Sequence, residues 1–212
     1  FSNCFKTMAI SRIIGCVSAK GGVGKTTTAI NLAAAINHFG KSVTLVDSNL
    51  TTPNIGVYLG LPIAPVTLHD VLRGKKEARE AVFQHKSGMR VVPASISIKD
   101  AKKADPHRLS SVLRDLDGHS EFIILDGAPG ITKESMAVLK AVKEVLIITN
   151  PELVSVTDAL KTVKLCKEQN RTVIGVLVTK TNAKNADLSL KAVEDILEVP
   201  IIGVIPEDRA VK

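Results

Sequence analysis

The chain has 212 residues, 45% hydrophobic and 23% charged, which suits one well-formed core and excludes intrinsic disorder. A net charge of +7 permits contact with nucleic acid or an anionic lipid surface, while 3% aromatics with no Trp exclude a base-stacking platform for single strands. Three cysteines without a close pair (Cys4, Cys16, Cys166) and five scattered histidines exclude a disulfide framework and a cysteine metal site, as expected of a reduced, cytoplasmic chain.

Residues 1–7 precede Met8 and are set aside as a leader or remnant, so one domain is expected over 8–212. From there, β-branched apolar runs predict strands at 13–18, 42–47, 90–93, 122–126, 145–149, 173–179 and 201–205. Several are nearly continuous Ile, Val and Leu, the pattern of strands buried on both faces of a parallel sheet. Amphipathic segments at 26–39, 109–116, 133–141, 154–169 and 188–197 predict helices between them. In the fourth of these, Val156, Leu160, Val163 and Lys167 recur at helical spacing. The longest charge-free stretch, 48–69, holds Pro53, Pro62 and Pro65 and does not read as a membrane span. The lysine pairs at 75–76 and 102–103 read as solvated surface. Alternating strands and helices predict an α/β fold: a doubly wound, mostly parallel sheet of about seven or eight strands, flanked by helices.

The first strand is followed by Ser18-Ala19-Lys20-Gly21-Gly22-Val23-Gly24-Lys25-Thr26-Thr27-Thr28, which runs directly into a helix. Gly21, Gly22 and Gly24 let the backbone turn tightly, so that amides here and at the helix N-terminus face one point, a nest for phosphate oxygens. Lys25 can reach the β- and γ-phosphates, and the Thr26 hydroxyl can ligate Mg²⁺. The spacing matches the phosphate loop of P-loop NTPases with Ala19 in place of the first glycine. Lys20 is a second cation, more than one phosphate cradle needs.

With Lys20 at its head, the loop Lys20-Gly21-Gly22-Val23-Gly24-Lys25-Thr26 resembles the deviant Walker A family of ATPases, which includes MinD, ParA, the nitrogenase iron protein and the Mrp-type carriers. The resemblance implies ATP and Mg²⁺ as cofactors. It also implies a homodimer with ATP sandwiched between subunits, in which Lys20 reaches the phosphates held by the other copy. Charge supplied in trans would stabilise phosphoryl transfer only in the assembled dimer. It extends along most of the chain from Met8. Asp47-Ser48-Asn49-Leu50-Thr51-Thr52-Pro53-Asn54 is similar to the first switch, in which the family places a second acid where this chain has Asn49. Asp47 is implied in catalysis and in metal binding. Asn49 can hydrogen-bond a water but cannot take its proton, which puts hydrolysis in question and leaves binding untouched. Asp126-Gly127-Ala128-Pro129-Gly130 resembles the second switch, so Asp126 is expected to hold Mg²⁺ through a water.

Thr149-Asn150-Pro151-Glu152 and Pro206-Glu207-Asp208 resemble the family's base-binding walls, which assigns Asn150, Pro206, Glu207 and Asp208 to the nucleotide along with the loop from Lys20 to Thr27. Thr179-Lys180-Thr181-Asn182 lacks the acid that reads guanine, which favours ATP. Without a cysteine pair the iron–sulfur carriers do not fit, and the runs 50–56 and 68–74 are most similar to archaeal-type MinD. MinD proteins carry a C-terminal membrane helix that is not seen before Lys212, so peripheral membrane binding is expected only of a longer form. Three readings stay open: a slow positional ATPase with a protein activator or cargo, an ATP-binding switch with little hydrolysis, and a ParA-like ATPase whose lysines track DNA.

Overall fold

The computed structural model describes residues 10–182, 187–208 and 210; the segment 1–7 and Met8 lie outside the described residues. Strands form where the apolar runs predict them: β1 (Arg12–Ser18), β2 (Val43–Asp47), β4 (Arg90–Val92), β5 (Phe122–Pro129), β6 (Glu144–Thr149), β7 (Thr172–Thr181) and β8 (Ile201–Pro206), with the unexpected β3 (Phe83–Gln84) before β4. They make one eight-stranded sheet in the order β3-β4-β2-β5-β1-β6-β7-β8, and every pairing is parallel except β3 with β4. The strand β3 has only two residues, one of them Gln84, so it shows no periodic pattern; the turn at Gly88, with φ +94°, brings it back against β4. Glu144 extends β6 although it is charged, because Arg12 on the neighbouring strand meets its carboxylate at 2.6 Å.

Among the described residues the five long helices are α1 (Lys25–His38), α5 (Leu109–Leu116), α6 (Lys133–Ala141), α7 (Leu153–Glu168) and α8 (Leu190–Leu197), each within two residues of expectation at either end. Between β2 and α5 the chain also makes the short helices α2 (Ile55–Tyr58), α3 (Leu68–Leu72) and α4 (Ile98–Ala101), too brief to carry a helical period. Side chains alternate across the strands. Ile123 and Leu125 therefore face one core layer and Ile124 the other. The first layer is closed by α3, α5, α6, α7 and α8, and the second chiefly by α1, whose buried Ala29 and Ala33 let the helix lie close to the sheet. Helical spacing in α7 holds for Val156 and Val163, which are buried; Lys167 points outward to Glu198.

This topology decides where a ligand can sit. From β1 the chain crosses to β2 on one side of it, and from β5 it crosses to β6 on the other. Such a reversal opens a crevice beyond the carboxyl ends of the strands, and the glycine-rich loop lies in it. Tight apposition of β1 and β5 is also required here: a Cβ on Gly127 would stand 3.0 Å from the Cys16 carbonyl oxygen.

Candidate functional site

The loop leaving β1 turns at Gly22 (φ +77°) and at Gly24 (φ +85°), both in the left-handed region that favours glycine. Gly24 is also the N-cap of α1 and offers no capping side chain, so the first amides of a fourteen-residue helix point into the loop. Those donors and the positive end of the helix dipole make an anion-binding concavity.

Lys25 and Thr26 open α1 and converge on Asp126 at the end of β5. The Lys25 ammonium lies 2.6 Å from Asp126 Oδ1, and the Thr26 hydroxyl donates to Oδ2 at 2.6 Å. The Lys25 and Asp126 side chains are 6% and 1% exposed. Asp47, wholly buried, ends β2 in register with Asp126. Burial, and then the charge of Asp126, push the Asp47 carboxyl up to about 7. Its oxygens accept from the backbone N–H groups of Asn49, Asn54 and Ile55, at 3.3, 3.1 and 3.1 Å. Asp47 thus holds the loop and the start of α2 while it stands beside the Lys25–Asp126 pair. Burial, aided by Asp126, likewise raises the Cys16 thiol to about 12.

Asn49 lies in the same crevice, but its side chain is committed to its own loop. The amide Nδ2 donates to the Thr52 carbonyl at 2.7 Å, and Oδ1 accepts from the Thr52 hydroxyl at 3.2 Å. Lys20 sits apart from Lys25, half-exposed at the mouth of the loop, where it pairs with Glu152. That ammonium, first among several donors, holds the Glu152 carboxyl below its ordinary range. Asn150 donates to the other Glu152 oxygen at 3.1 Å, and its own Oδ1 is buried without a hydrogen-bond partner among the described residues. Pro206, Glu207 and Asp208 are exposed where β8 ends, and the Glu207 amide donates to Thr181 at 3.0 Å. The structure therefore groups Lys25, Thr26, Asp47 and Asp126 at the centre, Lys20 and Asn150 around Glu152, and the 206–208 segment beside the end of β7.

Two supporting residues escape a sequence reading. The Thr179 hydroxyl, buried at the end of β7, donates to the Val23 carbonyl at 2.6 Å, and Lys180 Nζ donates to the Gly22 carbonyl at 2.7 Å. The segment weighed as a base-reading signature thus braces the back of the phosphate loop. Only its position at a strand end hinted at a role. Glu152 as the partner of Lys20 was equally hidden, since 132 residues separate them.

The donor set fits a nucleotide with Mg²⁺. Converging amides and Lys25 suit phosphate oxygens, and Thr26 with Asp126 supplies the one or two hard oxygens that Mg²⁺ takes beside phosphate. Residues 9–187 match the ParA family described as NUBPL iron-transfer P-loop NTPase. The two cysteines among the described residues, Cys16 and Cys166, are both buried. An uncharacterized ATP-binding protein of Methanocaldococcus jannaschii is 38% identical over 205 residues, which cover 97% of this chain and 77% of that one. The cell division ATPase MinD of Pyrococcus furiosus superposes with a TM-score of 0.91 at 35% identity, over 95% of this chain and 85% of its own. The septum site-determining protein MinD of Pyrococcus horikoshii, solved with Mg-ADP, gives 0.90 at 33% identity, over 93% and 82%. Loop, acids, strand order and these likenesses agree: the chain belongs to the ParA/MinD family of P-loop ATPases, whose cofactors are ATP and Mg²⁺.

Proposed function

We propose that this protein is an ATP-dependent switch that forms a homodimer around two nucleotides and serves in spatial positioning, of a division site or a similar target. The carrying observation is the separation of the two loop lysines. Lys25 is buried against Asp126 in its own site, whereas Lys20 stands at the half-exposed mouth, neutralised by Glu152. A cation poised at the rim on a surface carboxylate is free to exchange that partner for phosphate on a second copy. Lys25 binds and neutralises phosphate, Thr26 and Asp126 hold the metal, and Asn150 with the 206–208 segment borders the base. When bound, Mg²⁺ offsets charge on the phosphate oxygens. The positional role draws support from the MinD relatives.

Light scattering after size exclusion, with Mg-ATP, Mg-ADP and no nucleotide, tests the assembly. A dimer with ATP alone is expected. Lys20→Ala should abolish the dimer and keep ATP binding, and Lys25→Ala should lose binding itself. A monomer in all states, or equal effects of the two substitutions, would overturn the reading.

A second reading, a switch with little turnover, is favoured by one observation: the Asn49 amide is occupied by Thr52 and carries no basic oxygen. Asn49→Asp is then expected to raise ATP turnover. Unchanged turnover would remove the missing acid as the limiting feature.

A further inference from the structure

The loop between β2 and α2 is gripped at one peptide position by residues that have no part in the site described above. Leu50 is buried, its N–H donates to Glu134 Oε2 at 3.0 Å, and its carbonyl meets His69 Nε2 at 3.1 Å. The Glu134 carboxylate also accepts from the Thr51 amide at 3.4 Å and from the Thr51 hydroxyl. Glu134 lies in the first turn of α6, the helix that follows β5. His69 lies on α3, wholly buried. Its other nitrogen, Nδ1, accepts the Ser95 amide at 2.9 Å, which leaves the ring proton on Nε2 to be donated to Leu50. Around it, Ser95 donates to Asp100, and Arg73 bridges Asp100 and Asp70. The ring is therefore set in a fixed frame.

We propose that His69 and Glu134 are positioning residues that clamp Leu50 from opposite sides and so place the loop carrying Asn49 against the nucleotide site. The inference rests on the nucleotide reading above and extends it to regulation. Ser48 already ties the start of this loop to the Asp126 carbonyl, through its amide at 3.0 Å and its hydroxyl at 2.8 Å. The loop is thus held at Asp126, near the end of β5, and at Glu134, on the helix that follows. A shift of the end of β5 when Lys25 and Thr26 engage phosphate and metal is then carried to Leu50 by direct hydrogen bonds.

The test is hydrogen exchange by mass spectrometry on the full chain, with and without Mg-ATP. The variants separate a clamp from simple core filling. His69→Gln puts an amide nitrogen near the place of Nε2 and keeps the donor to Leu50; His69→Asn puts its oxygen near Nδ1 and keeps only the Ser95 contact. Without nucleotide, Glu134→Ala and His69→Asn should speed exchange at Leu50 and Thr51 by about tenfold or more, the value of one net hydrogen bond. His69→Gln should stay within about threefold of the parent there. Unchanged exchange in Glu134→Ala, or equal exchange in the two His69 variants, overturns the clamp. Protection of peptides covering 18–28 by Mg-ATP is read in the same experiment. If ATP protects nothing there, the nucleotide reading fails, while the clamp is still judged by the nucleotide-free rates.

Discussion

Replacing Lys25 by Met keeps the volume and length of the side chain but deletes the cation that the centre of the site is built around. Its ammonium is 2.6 Å from Asp126, and with both side chains under a tenth exposed, solvent screening weakens the interaction little. Removing one partner of such a pair leaves an uncompensated buried charge, at a cost of about 3–5 kcal/mol. The Thr26 hydroxyl still serves Asp126, which points to the low end, about 3 kcal/mol. For a chain of this length that corresponds to a fall in Tm of roughly 6–12 °C. The penalty should depend on pH, because Asp47 stands in register with Asp126 and titrates near neutrality, at about 7. Lys25 helps to hold the Asp47 value down, so its loss raises it further. At pH 8 the variant must either bury two adjacent carboxylates without the ammonium or hold a proton on Asp47 against the solution pH; at pH 5.5 Asp47 carries a proton in parent and variant alike and the repulsion is relieved. Urea unfolding of parent and Lys25→Met at both pH values measures this. Lys25→Met combined with Asp126→Asn should recover at least about half of the loss, since the orphan charge is gone. A deficit below about 1 kcal/mol at pH 8, or the same deficit at pH 5.5, would refute the argument.

Asp47 itself should tilt the pH dependence of stability. Its folded value, about 7, lies above that of an unfolded carboxylate, so its favourable contribution is complete below about pH 4 and is lost as pH rises through 7. The stability difference between the parent and Asp47→Asn should therefore shrink by about 2 kcal/mol from pH 5 to pH 8, and a flat difference would contradict the burial argument. Thr179→Val removes the hydroxyl that satisfies the Val23 carbonyl, which should cost about 1–3 kcal/mol and weaken ATP binding roughly tenfold, with Thr179→Ser restoring both. Calorimetric titration of ATP into the two variants decides it. The Cys16 and Cys166 thiols, raised by burial to about 12 and about 11, should resist alkylation at pH 8 in a Cys4→Ser background and react once urea unfolds the chain. Rapid labelling of the native protein would show that these thiols are reached without unfolding.

Much of this molecule is legible along the chain because its signals are local. Glycines at 21, 22 and 24 ahead of Lys25 and Thr26 state a phosphate-binding turn within a few residues, and each buried strand declares itself by an unbroken apolar run. Asp47 and Asp126 could be picked out through the resemblance of their segments to the family's two switches, and as acids at strand ends they fall at the same edge of a parallel sheet. The sheet order decided what these signals could not. Placing β5 between β2 and β1 sets Asp126 both against Lys25 and beside Asp47, and burial within the sheet, then the charge of Asp126, push Asp47 to about 7. The same packing joins Lys20 to Glu152, Thr179 to Val23, and Leu50 to His69 and Glu134. These partners lie from 19 to 156 residues apart. Ion pairs and hydrogen bonds at that separation leave no periodicity or spacing in the chain, so only the assembled fold identifies them.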